Sequence, residues 1–112
     1  MDKKPTCFIA MAFDHQDTDQ VYANLIQPVL KRNGVFPTII NRRQSNDDLN
    51  LQIIQQLENA NFCIADLTYA RPSVYFEAGF ATGLGRPVVW LCRKNELEPL
   101  PANACNFDSR TT

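Results

Sequence analysis

The alternation of apolar runs with helical segments constrains the fold of this chain more than any other feature. Four runs have the length and composition of strands: residues 6–13 (TCFIAMAF), 35–40 (VFPTII), 61–67 (NFCIADL) and 86–92 (RPVVWLC). Three segments between them carry apolar side chains at helical spacing: residues 21–34, 49–57 and 73–85. Strands that alternate with helices pair in parallel and are joined by right-handed crossovers. The chain is therefore predicted to fold around a parallel sheet.

The expected architecture is a three-layer α/β fold with a doubly wound parallel sheet of flavodoxin-like or Rossmann-like type. The sheet has four or five strands in the order 2-1-3-4(-5). Pro37 lacks a backbone N–H, so the second strand should lie at a sheet edge. The 112 residues make a single domain spanning 1–112. Residues 93–112 are expected to form an irregular tail, either truncated before a fifth strand or part of a shortened fold.

Composition narrows the classes of function. With 11 basic and 12 acidic residues the net charge is -1. This balance argues against sequence-specific binding of nucleic acid and against binding to an anionic membrane. No segment approaches the roughly 20 apolar residues of a membrane span, and the start of the chain reads as a strand rather than a signal peptide. We expect a cytoplasmic protein. The four cysteines form no CxxC pair, so neither a metal site nor any other cofactor is predicted.

The parallel sheet predicts where a ligand binds. In doubly wound sheets, ligands lie beyond the carboxyl ends of the strands, at the switch in strand order. Here that switch falls between the first and third strands. Three loops therefore face the expected crevice: residues 12–18, residues 66–73 and the chain from residue 93 onward. They contain no Gly-rich phosphate-binding motif.

Two acidic residues are the candidates for catalysis. Glu77 lies in an apolar helix start, VYFEAGF, with Ser73 as the expected N-cap. It is either a solvent-facing charge that compensates the helix dipole or a partly desolvated nucleophile or base, and we favour the second interpretation. Asp66 ends the third strand and is either a loop cap or a second carboxylate that shares the work with Glu77. Thr68 fits either role of Asp66.

The loop after the first strand supplies candidate ligand contacts. Its backbone N–H groups, from Met11, Ala12, Phe13 and Asp14, are expected to face a ligand. His15 is the only histidine, and without partners at metal-ligand spacing it is interpreted as a surface residue.

The block ADLTYARPSVYFEAGFATGLGRPV resembles the nucleoside 2-deoxyribosyltransferase-like superfamily, in particular its bacterial branch related to TIR-like domains. The resemblance covers residues 7–92. It implies that Glu77 is a nucleophile that attacks the anomeric carbon and that Asp66 acts near the sugar or base. It also implies that Phe13 and Tyr75 line the pocket and that Ser73 occupies a position where this branch usually has Asn. The implied ligand is a nucleoside, a nucleotide or an NAD-like molecule.

The loop before Glu77 bears on whether the chain catalyses a reaction or only binds a ligand. The deoxyribosyltransferases usually carry an acidic residue shortly before the nucleophile, whereas this chain has ARPS, with Arg71. The chain is therefore expected either to transfer or hydrolyse an N-glycosidic bond through a glutamate, or to sense a nucleotide or NAD, or self-assemble, without turnover. A bare edge on the fourth strand predicts a homo-oligomer.

Overall fold

The computed structural model describes residues 4–13, 15–40 and 47–93. In chain order the elements are β1 (Thr6–Ala10), α1 (Gln16–Val21), a π-helical turn (Tyr22–Ile26), α2 (Gln27–Arg32), β2 (Phe36–Thr38), α3 (Asp47–Asn59), β3 (Phe62–Asp66), α4 (Pro72–Gly83) and β4 (Val88–Leu91). No helix within these ranges is long and apolar enough to cross a membrane. The predicted irregular tail, beyond Arg93, lies outside the described residues.

The four strands form one parallel sheet in the order β2-β1-β3-β4. This confirms the predicted α/β fold and strand order. β2 lies at an edge, as Pro37 indicated, and pairs with β1 over only three residues. The register aligns Asp66 at the end of β3 with Leu91 at the end of β4. The carboxyl ends of the two strands therefore meet at one edge of the sheet.

Each strand is shorter than its apolar run. β1 ends at Ala10, yet Met11 and Ala12 remain buried beyond it. Burial thus continues past the last paired residue of the strand. Apolar character reports burial rather than ladder pairing, and so it overestimates strand length.

The sheet is covered on both faces by two separate cores, which explains why its strands are apolar almost throughout. Successive strand residues alternate between the faces. On the face covered by α1 and α2, the buried core consists of Cys7, Ile9, Met11, Ile26, Leu30 and Ile64. On the face covered by α3 and α4, it includes Phe8, Ala10, Leu57, Cys63, Ala65, Val74, Ala78 and Ala81.

The first helical segment departs from α geometry at the position that Pro28 predicts. Proline cannot donate to the carbonyl four residues earlier, here that of Asn24. The helix widens into the π-helical turn Tyr22–Ile26 before Pro28, which lies in the first turn of α2. Ile26 and Leu30 face the sheet, whereas Leu25 on the same segment is exposed.

Helix α4 begins two residues earlier than the predicted N-cap at Ser73 implied. Arg71 is the N-cap, with an extended backbone and no side-chain capping bond, and Pro72 occupies the first helical position. Proline suits that position because its preset φ is helical and its missing N–H has no partner there. The prediction of Ser73 as N-cap was therefore wrong. Gly85, at φ 78°, follows the end of the helix as expected.

Candidate active site

A cavity of about 240 Å³ opens at the carboxyl ends of β3 and β4, beside α1 and the π-helical turn. Its exposed lining is mostly apolar, although polar and charged residues also contribute to it. The lining residues are Asp17, Thr18, Val21, Leu25, Asp66, Thr68, Leu91, Cys92 and Arg93. The cavity lies at the carboxyl edge of the sheet, where ligands of doubly wound sheets bind, but on the β4 side of β3 rather than at the switch between β1 and β3. Its residues come from the three loops predicted to face the crevice and from the elements beside them.

Asp66 and Thr68 tie the end of β3 to the end of β4. The carboxylate of Asp66 is only 5% exposed and accepts a hydrogen bond from the backbone N–H of Thr68 at 3.0 Å. The Thr68 hydroxyl in turn accepts the backbone N–H of Arg93 at 2.9 Å. Asp66 is therefore both a loop cap and a cavity residue, so the two interpretations of this position are not exclusive.

Tyr69 joins three loops at the mouth of the cavity. Its hydroxyl donates to the Asp17 carboxylate, 2.9 Å from both oxygens. The His15 ring stacks on the Tyr69 ring with centroids 3.9 Å apart. The Arg93 guanidinium lies 5.1 Å from the same ring and forms an ion pair with Asp17. The hydrogen bond from Tyr69 and, less strongly, the charge of Arg93 lower the pKa of Asp17.

His15 is more engaged than its interpretation as a surface residue implied. It is half-buried, and its Nε2 lies 2.8 Å from Nη2 of Arg71. A guanidinium is only a donor, so Nε2 of His15 is the acceptor in this contact. Arg71, the residue that distinguishes the ARPS loop, is thus directed toward His15.

Glu77 is buried in the contact between α4 and the sheet, with 1% of its surface exposed. It is the sixth residue of α4, in the second turn. Compensation of the helix dipole requires a carboxylate in the first turn that faces solvent, and Glu77 meets neither condition. Burial raises the pKa of the neighbouring Cys63 thiol to about 12, with contributions from Cys7 and then from the charge of Glu77.

Asp66 and Glu77 approach the carboxyl edge from opposite faces. Asp66 shares the α1–α2 face with Ile64, whereas Glu77 projects from α4 on the other face. Glu77 is not among the residues that line the cavity. Their convergence on one ligand stays a prediction.

The other candidate residues are dispersed around this edge. Met11 and Ala12 are buried beyond β1. Phe13 is half-buried and packs edge-on against Tyr22, with centroids 6.3 Å apart. Tyr75 packs against the core on the α3–α4 side, and Ser73 is exposed. Asp14 lies outside the described residues. Among the predicted site residues within the described ranges, only Asp66 and Thr68 line the cavity.

Sequence reasoning identified the loops of the cavity but missed most of its side chains. Asp17 and Thr18 belong to the loop predicted to face the crevice, and Arg93 begins the segment predicted to do so. Their order along the chain did not show that Tyr69 would bring Asp17 and Arg93 together. Val21 and Leu25, which recur at helical spacing in the first helical segment, belong to the apolar part of the lining. Within the described ranges, no group of three potential metal-ligating side chains forms a metal site.

Among the comparisons with known proteins, the one with solved structures supports the fold. No protein-family model matches the chain, and no curated protein matches it either. Among solved structures, a chain described as a 2-desoxiribosyltransferase from Leishmania mexicana matches with a TM-score of 0.63 and 24% sequence identity. The match covers 79% of this chain and 64% of that chain. This chain therefore has a nucleoside 2-deoxyribosyltransferase-like fold, as its sequence resemblance implied.

Proposed function

We propose that this chain acts on the N-glycosidic bond of a nucleoside or nucleotide, with Glu77 as the nucleophile and Asp66 as its assistant. The observation that carries the proposal is the burial of Glu77, with 1% of its surface exposed, within the apolar helix α4 that follows the carboxyl end of β3. Burying a carboxylate opposes folding, and helix-dipole compensation does not explain its position. The deoxyribosyltransferase-like fold supports the same chemistry by analogy.

The proposed reaction proceeds in two displacements. A carboxylate oxygen of Glu77 attacks C1′ of the sugar, the C1′–N bond breaks, and the base leaves with the bonding electron pair and takes up a proton. In the second step an acceptor base attacks C1′, the sugar ester breaks, and the acceptor loses a proton while the Glu77 carboxylate is restored. Water in place of the acceptor gives hydrolysis. Both steps pass through an oxocarbenium-like transition state, which a nearby carboxylate stabilises.

The positions of Glu77 and Asp66 on opposite faces of the sheet suggest separate roles for the two carboxylates. A ligand lying across the carboxyl edge would present C1′ to Glu77 on the α4 side. Its base or a sugar hydroxyl would reach Asp66 and Thr68 at the cavity on the other side. A buried carboxylate such as Asp66 is suited to accept a hydrogen bond from a ligand hydroxyl or amino group.

The test is release of free base from deoxynucleosides and from NAD, with and without acceptor bases, followed by chromatography. Glu77→Gln keeps the size of the side chain and removes the nucleophile, so kcat should fall by roughly 10³-fold or more. Glu58→Gln is the matched control, because Glu58 is exposed on α3 and the same substitution there should leave kcat unchanged. Turnover by Glu77→Gln at the wild-type rate would falsify the assignment.

A second candidate is a module that binds a nucleotide without cleaving it. Two observations favour it: Glu77 does not line the cavity, and the ARPS loop directs Arg71 toward His15 in the stretch where deoxyribosyltransferases carry an acid. This candidate predicts that a bound nucleotide raises the melting temperature and is recovered intact after long incubation. Loss of bound ligand to free base over that time excludes it.

A further inference from the structure

Tyr69 lies at the centre of a contact set that links all three loops of the crevice. We call His15, Asp17, Tyr69 and Arg93 the Tyr69 clamp. His15 stacks on the Tyr69 ring and Arg93 lies over it, while the Tyr69 hydroxyl bonds Asp17. His15 follows β1 and Asp17 lies in α1, whereas Tyr69 follows β3 and Arg93 follows β4. One side chain therefore holds together segments that are far apart in sequence.

The backbone at Tyr69 is held in a conformation that non-glycine residues avoid. Tyr69 has φ 74° and Ala70 has φ 49°, both in the left-handed region, which is unfavourable for residues with a Cβ. Such a conformation persists when surrounding contacts over-determine it. The clamp provides those contacts on the Tyr69 side chain. On its amino side, Thr68 is fixed through Asp66 and Arg93.

The clamp and the cavity share their walls. Asp17 and Arg93 line the cavity, and so does Thr68, which directly precedes Tyr69. Release of Tyr69 would remove the contacts that Asp17 and Arg93 make with its hydroxyl and ring and let the strained loop relax. Both changes would alter the shape of the cavity mouth without touching the core of the sheet.

We propose that Tyr69 is a positioning residue, which through the Tyr69 clamp holds Asp17, Arg93 and Thr68 in the arrangement that admits a ligand to the cavity. The nature of that ligand, a nucleoside or nucleotide, rests on the proposed function. The positioning role rests on the contacts alone. Tyr69 supplies no reacting atom and acts through the residues that line the cavity.

The experiment uses the thiol of Cys92, a half-buried residue of the cavity lining, because its Sγ donates to the backbone carbonyl of Arg93, a residue of the Tyr69 clamp. Alkylation by iodoacetamide, an uncharged probe, is followed by peptide mass mapping in wild type, Tyr69→Phe and Tyr69→Leu. Tyr69→Phe keeps the ring between His15 and Arg93 and removes only the bond to Asp17. Tyr69→Leu removes the stack as well. Tyr22→Phe is the control, because Tyr22 packs against Phe13 and does not line the cavity.

The expected result is a graded opening of the cavity. Alkylation of Cys92 should accelerate about three- to tenfold in Tyr69→Phe, the range for losing one partly exposed hydrogen bond to a charged group, and further in Tyr69→Leu. Cys7 and Cys63 are buried, so their alkylation reports global opening and should stay slow in every variant. An unchanged Cys92 rate in Tyr69→Leu, or parallel acceleration of all three thiols, overturns the positioning role.

Turnover gives a second readout that separates this proposal from the proposed function. If wild type releases base from a deoxynucleoside, Tyr69→Phe should raise KM about three- to tenfold while kcat stays within about twofold. An equal fall in kcat with unchanged KM overturns the positioning role. If wild type releases no base, the proposed function fails, and the Cys92 alkylation rates still decide the role of Tyr69.

Discussion

A substitution of Leu57 on α3 tests how α3 packs against the sheet and against α4, the helix that contains Glu77. Leu57 is fully buried in the core between α3, α4 and the sheet. Leu57→Ala removes three carbon atoms, worth about 2.4 kcal/mol at roughly 0.8 kcal/mol each. The cavity left behind adds to this, so the expected loss is about 3 kcal/mol. That is a large share of the roughly 5–15 kcal/mol by which a domain is stable.

The assay is urea unfolding with Leu51→Ala as the matched control. Leu51 lies on the same helix, but 54% of its surface is exposed, so its loss should change the free energy of unfolding by no more than about 0.5 kcal/mol. With an m-value of about 1.5–2 kcal/mol per molar, Leu57→Ala should lower the midpoint by about 1.5–2 M. Equal shifts in the two variants would refute the assignment of the buried face of α3.

Alkaline unfolding and two glycines provide further tests. Burial raises the pKa of Cys7 and Cys63 from 9.0 to about 12. As the pH rises, these thiols lose their protons first in the unfolded chain. The free energy of unfolding should therefore fall between pH 9 and pH 12. In urea titrations, Cys63→Ala should remove roughly 2 kcal/mol of the loss at pH 10.5, and an unchanged pH slope counts against the shift. Gly85 has a left-handed backbone, so Gly85→Ala should cost about 1 kcal/mol. Gly79 lies inside α4 with open space at its Cβ position, so Gly79→Ala should stabilise the protein by about 0.5–1 kcal/mol. The two glycine variants should therefore shift the melting temperature in opposite directions, and shifts in the same direction would contradict these predictions.

The order of the sheet could be predicted because it depends on features that are local in sequence. Apolar runs that alternate with helical segments specify parallel pairing, and Pro37 marks an edge strand. Helix boundaries were less secure, since both Ser73 and Pro72 favour a helix start. The structure selects Pro72 because its ring needs no hydrogen-bond partner at the first position.

The candidate site was only partly predictable because its cavity depends on contacts between distant segments. The end of β3 identified Asp66 and Thr68 from strand geometry alone. Tyr69 and Arg93 are 24 positions apart, and no local pattern pairs them with Asp17 or assigns a left-handed backbone to Tyr69. Glu77 could be identified as a candidate from the sequence because a charge in an apolar helix start is unusual. Its burial in the structure agrees with that interpretation.

The most direct test of the central claim is the covalent step assigned to Glu77. Wild-type protein is mixed with a deoxynucleoside, quenched with acid at short times and digested for peptide mass mapping. We expect the mass of one deoxyribosyl group on the α4 peptide, localised to Glu77, and no such adduct in Glu77→Gln. Release of free base by wild type with no adduct on that peptide, and at an undiminished rate in Glu77→Gln, would contradict it.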